Sequence, residues 1–361
     1  MASRKKILII CPYPENVAPS QRLKYEQYFE HFRNNNFDIV VSPFMSRRFW
    51  NVVYKKGRFP EKIYWTLIGY LKRVLDLFRL PFYKGLYIHL WVAPFGGPIF
   101  EYLFCLLNRN VIYDIDDMIF LAPSNKANKS IAAFKNESRM IYLMKKAKHV
   151  IVCTPKLETF VRQYNSNTTD ISSTINTDLY IPINNYANDH ALTLGWSGSH
   201  STSKYLLLLE EVLKKIKNEL DVNILVIGDP TFSFKSIKAE VLPWTLETEL
   251  RNLQRIDIGL YPLPDEEWVY GKSGLKALQY MALGIPTIAS AIGANFRVIE
   301  HNVSGFLVRS EQEWIDTIML LINNPQLRKR IGEEARKRVE LNFSINANRD
   351  VYLKIFKKVF A

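Results

Sequence analysis

The residues best suited to chemistry lie in two short segments of the second half of the chain. In Leu194–Glu211, LGWSGSHSTSKYLLLLEE, an apolar run passes through a small polar turn into a helical pattern. Such a turn aims backbone N–H groups and the positive end of a helix at whatever lies above the strand, which suits a phosphate. Gly198 and Ser199 form the turn and Lys204 adds a point charge; a Ser-capped turn with a solvated lysine is the plainer alternative. In Pro262–Ser290, PLPDEEWVYGKSGLKALQYMALGIPTIAS, the residues Lys272, Ser273 and Gly274 fall at the start of a predicted helix. A cation there opposes the helix dipole by roughly 0.3–1 kcal/mol, so an anionic ligand is one physical reason for it and solvation another. Lys276 and Gln279 share a helix face with Ser273. Gln279 both donates and accepts, as a ribose diol requires.

A third group, Asp114, Asp116 and Asp117, closes a predicted strand, where ligands gather in open α/β sheets. Carboxylates this close repel and should raise at least one pKa, which suits a base. Magnesium ligation and the capping of a following helix are the rival roles. Arg22, at the start of the first predicted helix, is a further candidate for the same region. Three well-separated cysteines, Cys11, Cys105 and Cys153, fit neither a CxxC metal site nor a disulfide framework, so a reducing cytoplasm is the expected compartment. No metal site and no cofactor is expected.

These segments need rigid elements to position them, and the pattern supplies strands alternating with helices, as in parallel α/β sheets. Predicted strands in the first half are Lys6–Ile10, Phe37–Ser42, Leu86–Val92, Val111–Ile115 and His149–Cys153, with helices over Gln21–Arg33, Lys62–Phe78, Ile99–Leu107 and Ile131–Lys146. Asn165–His190, rich in Asn, Thr, Ser and Pro, reads as a passage between domains. The pattern restarts with a strand at Ala191–Ser197, a helix at Ser203–Lys217, strands at Asn223–Ile227 and Ile256–Tyr261, and a helix at Ser273–Leu283. A helical tail runs from Glu311. A chain of 361 residues fits two domains. The expected division is 1–187, 188–342 and a terminal helix over 343–361.

The formal net charge is +13, and between Arg47 and Lys84 ten basic residues face two acidic ones among many aromatics. That mixture suits an anionic membrane surface. Nucleic acid is the competing partner, but no groove-reading motif accompanies the charge. No apolar stretch reaches the 18 or so residues of a membrane span. The expected location is cytoplasmic, peripheral on the inner face of the membrane.

From Ala191 to Arg338, and more loosely from Lys5, the sequence resembles retaining glycosyltransferases of the GT-B fold, the group 1 family often numbered four. The run ALGIPTIASAIGANFRVIEHNVSGFLV, Ala282–Val308, is similar to the family's helix end, GxPxxAS strand and NxxGFL element. DIGLYPLP, Asp257–Pro264, resembles the strand before its donor site, while CPYPENVAPSQR and VIYDIDDMIF resemble a bacterial surface-polysaccharide branch. The resemblance implies two Rossmann-like α/β domains with a cleft between them and a C-terminal helix crossing back to the first. It implies a nucleoside-diphosphate-sugar donor held by Gly198, Ser199, Lys204, Lys272, Ser273, Gly274, Lys276 and Gln279. A glycan or lipid-linked acceptor would meet Asp116 and Asp117 as catalytic residues, with Arg22 and Asp114 beside it. Transfer would proceed without a metal and with retention. Gly271 and Gln279 stand where the family commonly carries two glutamates, and Ser199 stands where it carries an arginine. Those departures keep two alternatives open: a sugar-nucleotide epimerase or hydrolase of the same fold, and a non-catalytic nucleotide-sugar-binding subunit.

Overall fold

Short β-branched runs separated by amphipathic segments produce two parallel sheets, each with its own core. The computed structural model describes residues 4–53, 55, 57–116, 137–183, 186 and 190–361. The chain divides into two compact units, residues 1–173 with 348–361, and residues 174–347.

In the first unit the strands are β1 (Lys5–Cys11), β2 (Phe37–Pro43), β3 (Gly85–His89), β4 (Val111–Asp114), β5 (His149–Val152) and β6 (Thr168–Asp170). They form one sheet in the order β2-β1-β3-β4-β5-β6, with parallel pairing throughout. Its helices are α1 (Pro19–Arg22), α2 (Phe29–Asn34), α3 (Arg47–Val53), α4 (Phe59–Arg79), α5 (Ile99–Leu107), α6 (Glu137–Lys146) and α7 (Pro155–Arg162). Leu8, Ile10, Ile88, Val111 and Val150 meet Phe104, Leu143 and Leu157 in one core.

The second unit repeats the plan with β7 (Leu192–Ser197), β8 (Val222–Gly228), β9 (Glu240–Pro243), β10 (Ile258–Tyr261), β11 (Thr287–Ser290) and β12 (Phe306–Val308). Their order is β12-β11-β10-β7-β8-β9, again parallel. The helices are α8 (Glu210–Glu219), α9 (Glu249–Leu253), α10 (Leu275–Ala282), α11 (Asn295–Val298), α12 (Glu311–Asn323), α13 (Pro325–Asn342) and α14 (Ile345–Phe360). Residues of α14 from 348 onward belong to the first unit, where Phe356 stacks on Phe32 at 3.9 Å and Tyr352 lies 4.6 Å from Tyr28. The strand order turns between β7 and β10, and ligands of open α/β sheets collect beyond the strand ends at such a point.

Several elements differ from expectation. The predicted helix over 21–33 is broken into α1, a 3₁₀ turn at Glu26–Tyr28 and α2. The predicted helix from Ser203 begins as a 3₁₀ segment, Ser203–Leu209, before α8. Its first turn is drawn tight because the N–H groups of Thr202 and Ser203 both reach Ser199 O, at 2.9 and 3.1 Å, while Asp229 takes the Ser203 hydroxyl at 2.6 Å. The polar passage contributes strand β6. The structural division falls after residues 173 and 347, where 187 and 342 were expected. Backbone bonding explains the shift: Ile175 N donates to Phe343 O at 2.8 Å, and Arg336 holds the carbonyls of Thr177 and Tyr180.

Candidate functional site

Gly198, which follows β7, touches Gly228, the last residue of β8. Gly228 has φ +128°, and a Cβ there would lie 1.7 Å from the Gly198 carbonyl oxygen. A Cβ on Gly198 would lie 2.5 Å from the Trp196 ring and 2.6 Å from Lys276 Cε. Neither turn tolerates a side chain, so the backbone comes unusually close to the space above β7. Ser199 and Lys204 are exposed on the turn that follows.

Lys276, on the second residue of α10, reaches beneath that turn. Its ammonium donates to Thr202 Oγ1 at 3.1 Å and sits 4.5 Å from the Trp196 ring centre and 5.6 Å from that of Tyr261. Burial, and secondarily the neighbouring Lys272, push its pKa down to about 7. Lys272 caps the 3₁₀ segment Glu267–Gly271, and its ammonium stands 4.6 Å from the Trp268 ring centre. Trp268 lies 5.8 Å from Tyr205, whose other neighbour is Lys204 at 5.2 Å. Lys204 and Lys272 therefore bracket one aromatic pair, and the charge of Lys272 reaches Lys276. Half-buried Ser273 and buried Gly274 (φ +77°) complete the entry to α10, with Gly274 as its N-cap. Crowding cations in a partly dry place is costly, and an anion is the natural compensation.

Gln279 departs from expectation. It is 6% exposed, and its amide donates to Tyr180 Oη at 2.9 Å and to Glu249 Oε1 at 3.2 Å. Trp244 Nε1 donates to the same Glu249 oxygen at 3.0 Å. The amide is committed to this buried network instead of presenting itself to a ribose. Glu249 escaped the sequence reading because two of its partners, Gln279 and Tyr180, lie 30 and 69 residues away. A second missed cluster surrounds Asp229, which receives the hydroxyls of Ser203 and Thr231, at 2.6 and 2.7 Å, and pairs with His200 at 3.0 Å. Burial would raise that carboxyl, but these hydrogen bonds outweigh it and hold the pKa below the usual carboxylate range.

In the first unit the aspartates separate in role. Asp114 is fully buried, ion-paired with Lys24 and bonded to the Tyr87 hydroxyl, with His89 Nδ1 at 3.6 Å. It does not face solvent as a cleft residue, and its pKa is not raised. Burial alone would raise it, but Lys24 and then His89 hold it below the ordinary value. Asp116, two residues on, is half-buried at the end of the strand, and Asp117 lies outside the described residues. Arg22, half-buried, closes α1 two residues before Lys24.

Residues 191–324 match the family Glycosyl transferases group 1. The match covers little more than a third of the chain. Lys204, Lys272 and Lys276 lie within the matched residues, in the segments that follow β7 and β10. A Xenopus tropicalis protein, Glycosyltransferase 1 domain-containing protein 1, is 30% identical over 167 residues, covering 41% of this chain and 44% of that protein. The chain spans less than half the length of the curated relatives it matches. In fold, the whole chain is similar to sucrose-phosphate synthase from Thermosynechococcus elongatus, with TM-score 0.73 at 16% identity over 99% of both chains. It is also similar to Anabaena HepE in complex with UDP-glucose, with TM-score 0.66 at 15% identity over 98% of this chain and 99% of that one. The two Rossmann-like α/β units thus have the GT-B fold.

Proposed function

We propose that the chain transfers a sugar from a nucleoside-diphosphate sugar to a hydroxyl of a lipid-linked or surface-polysaccharide precursor, without a metal and with retention at the anomeric carbon. The carrying observation is Lys276 packed beneath the Gly198 turn with the charge of Lys272 beside it, while Lys204 follows on the segment after that turn. These lysines, with Gly198, Ser199, Ser273 and Gly274, take the diphosphate. As the glycosidic bond to the leaving phosphate breaks, negative charge grows on its oxygens, and fixed cations and N–H dipoles stabilise it. The UDP-glucose bound in Anabaena HepE supports a nucleotide-sugar donor.

Gln279 serves this site indirectly by fixing Glu249 and Tyr180 beneath α10. In the first unit, buried Asp114 and Lys24 anchor the end of β4, and Asp116 and Asp117 beyond them receive the acceptor hydroxyl, with Arg22 nearby. The enzyme works at the cytoplasmic face of a membrane, where a lipid-linked acceptor is available. The test is turnover of UDP-sugars with EDTA present. Activity that survives the chelator supports the reading, whereas complete loss restored by magnesium or manganese would transfer charge neutralisation from the lysines to a metal.

A further inference from the structure

Helix α4 is built inside out. Its 21 residues turn Gly69, Arg73 and Asp76 toward the protein. Arg73 is fully buried and donates to Val92 O at 2.6 Å, Cys11 O at 3.0 Å and Asp76 Oδ2 at 2.9 Å. Gly69 lies so close to the Phe44 ring that a Cβ would come within 2.6 Å. The opposite side carries Phe59, Ile63, Leu67, Leu71 and Phe78, continued by Phe82, each 56–78% exposed. Helix α5, which packs beside α4, exposes Ile99, Tyr102 and Leu106 as well. Soluble monomers rarely leave so large a contiguous apolar face in water.

The charges at the ends of this face identify what covers it. Arg47, Arg48, Lys55 and Arg58 lie before the start of α4's apolar stripe, and Arg79 and Lys84 lie at its end. The two acidic residues of the segment are engaged, Glu61 with Arg58 at 3.2 Å and Asp76 with Arg73. At the starting ends of β1, β3 and β4 an open basin of about 780 Å³ is lined by Arg4, Lys5, Lys6, Lys84 and Arg109, with Phe82 and Leu107 on its wall and no carboxylate. Among the described residues none of these five cations makes an ion pair. The basin sits at the strand ends opposite to Asp116, so it is separate from the acceptor chemistry.

We infer that the α4 and α5 face lies in the headgroup layer of an anionic bilayer, with the basin at the starting ends of β1, β3 and β4 binding lipid phosphates. A second copy would bring the same excess of positive charge against itself, whereas an anionic bilayer complements both features. A helix of this length lies about 30 Å along the surface with its apolar side sunk to the acyl boundary. Among the described residues no helix is long and apolar enough to cross a membrane, which agrees with a surface contact. The inference deepens the membrane part of the proposed function and is independent of the donor chemistry.

The test is flotation of the purified chain with vesicles of phosphatidylcholine alone or with 30% phosphatidylglycerol (an anionic lipid content of about a third). Binding should need the anionic lipid and decline as salt rises toward physiological strength. The Lys6→Gln/Lys84→Gln/Arg109→Gln variant should bind about a hundredfold more weakly, since each basic residue near the surface contributes about fivefold. The Leu67→Ser/Leu71→Ser/Phe78→Ser variant should lose binding at low salt as well, with an unchanged melting temperature because these positions are exposed. Equal binding to neutral vesicles, binding to neither, or wild-type binding by both variants would overturn the inference. So would a lipid-free dimer that the serine variant dissociates, which would assign the face to a second copy. UDP binding measured on the same variants should stay unchanged, so failure of the donor reading and failure of this one are separable.

Discussion

Lys276 should act as a proton-linked phosphate sensor, and the linkage can be measured. Its pKa of about 7 in the free protein, against an ordinary 10.5, reflects burial between Trp196 and Tyr261 and the charge of Lys272. A phosphate anion within about 4 Å returns roughly 4 kcal/mol per charge at an effective dielectric constant of about 20, enough to restore a pKa near 10. At pH 8 only about a tenth of the free protein carries the proton, so UDP binding should take up about 0.9 proton. Affinity should fall about fiftyfold between pH 7 and 9, a window well above the phosphate's own titration near pH 6. Calorimetry in buffers of different ionisation enthalpy measures the uptake directly. Lys276→Met should abolish it and weaken UDP binding. It should also stabilise the free protein, by at most about 5 kcal/mol, most fully below pH 7, because a lysine with a lowered folded pKa destabilises there and recovers as pH rises toward 10.5. Proton uptake near zero at pH 8 in the wild type, or an uptake that survives in Lys276→Met, would refute the reasoning.

The other expectations follow from burial. Lys272→Ala should weaken UDP binding roughly 10- to 150-fold, the range of a charge-assisted contact, whereas exposed Lys204→Ala should cost less than about tenfold; titration calorimetry separates the two. Lys24→Met strands the buried Asp114 carboxylate and should cost about 3–5 kcal/mol in urea unfolding at neutral pH, with the difference shrinking as pH falls from above the ordinary carboxylate range, where the unpaired, buried Asp114 of the variant takes a proton, toward the lowered pKa of the wild type.

The strands were legible because β-branched runs between polar turns have few other ways to fold, and the loops after β7 and β10 were placed by the same logic. What the sequence concealed was the partner of each polar group. Asp114 looks like an exposed strand-end carboxylate until Lys24, 90 residues earlier, is folded against it. Gln279 looks like a ligand contact until Glu249 and Tyr180 occupy its amide. The stripe on α4 was visible as a mixture of aromatic and basic residues, but which side faces inward depends on carbonyls at Cys11 and Val92 that accept from Arg73. Ser203–Leu209 read as α-helix because its apolar pattern is helical; the extra tightening comes from Asp229, on another strand's loop.

The central claim is that Lys276, at the turn after β7, and its neighbour Lys272 hold a nucleoside diphosphate. Calorimetric titration of UDP and UDP-glucose into the wild type and into a Lys272→Ala/Lys276→Met variant, with EDTA present, tests it most directly. The account predicts saturable one-to-one binding to the wild type that is lost in the double variant while its melting temperature is maintained or raised. Undiminished binding by the double variant, or binding by the wild type only after a divalent metal is added, would contradict it.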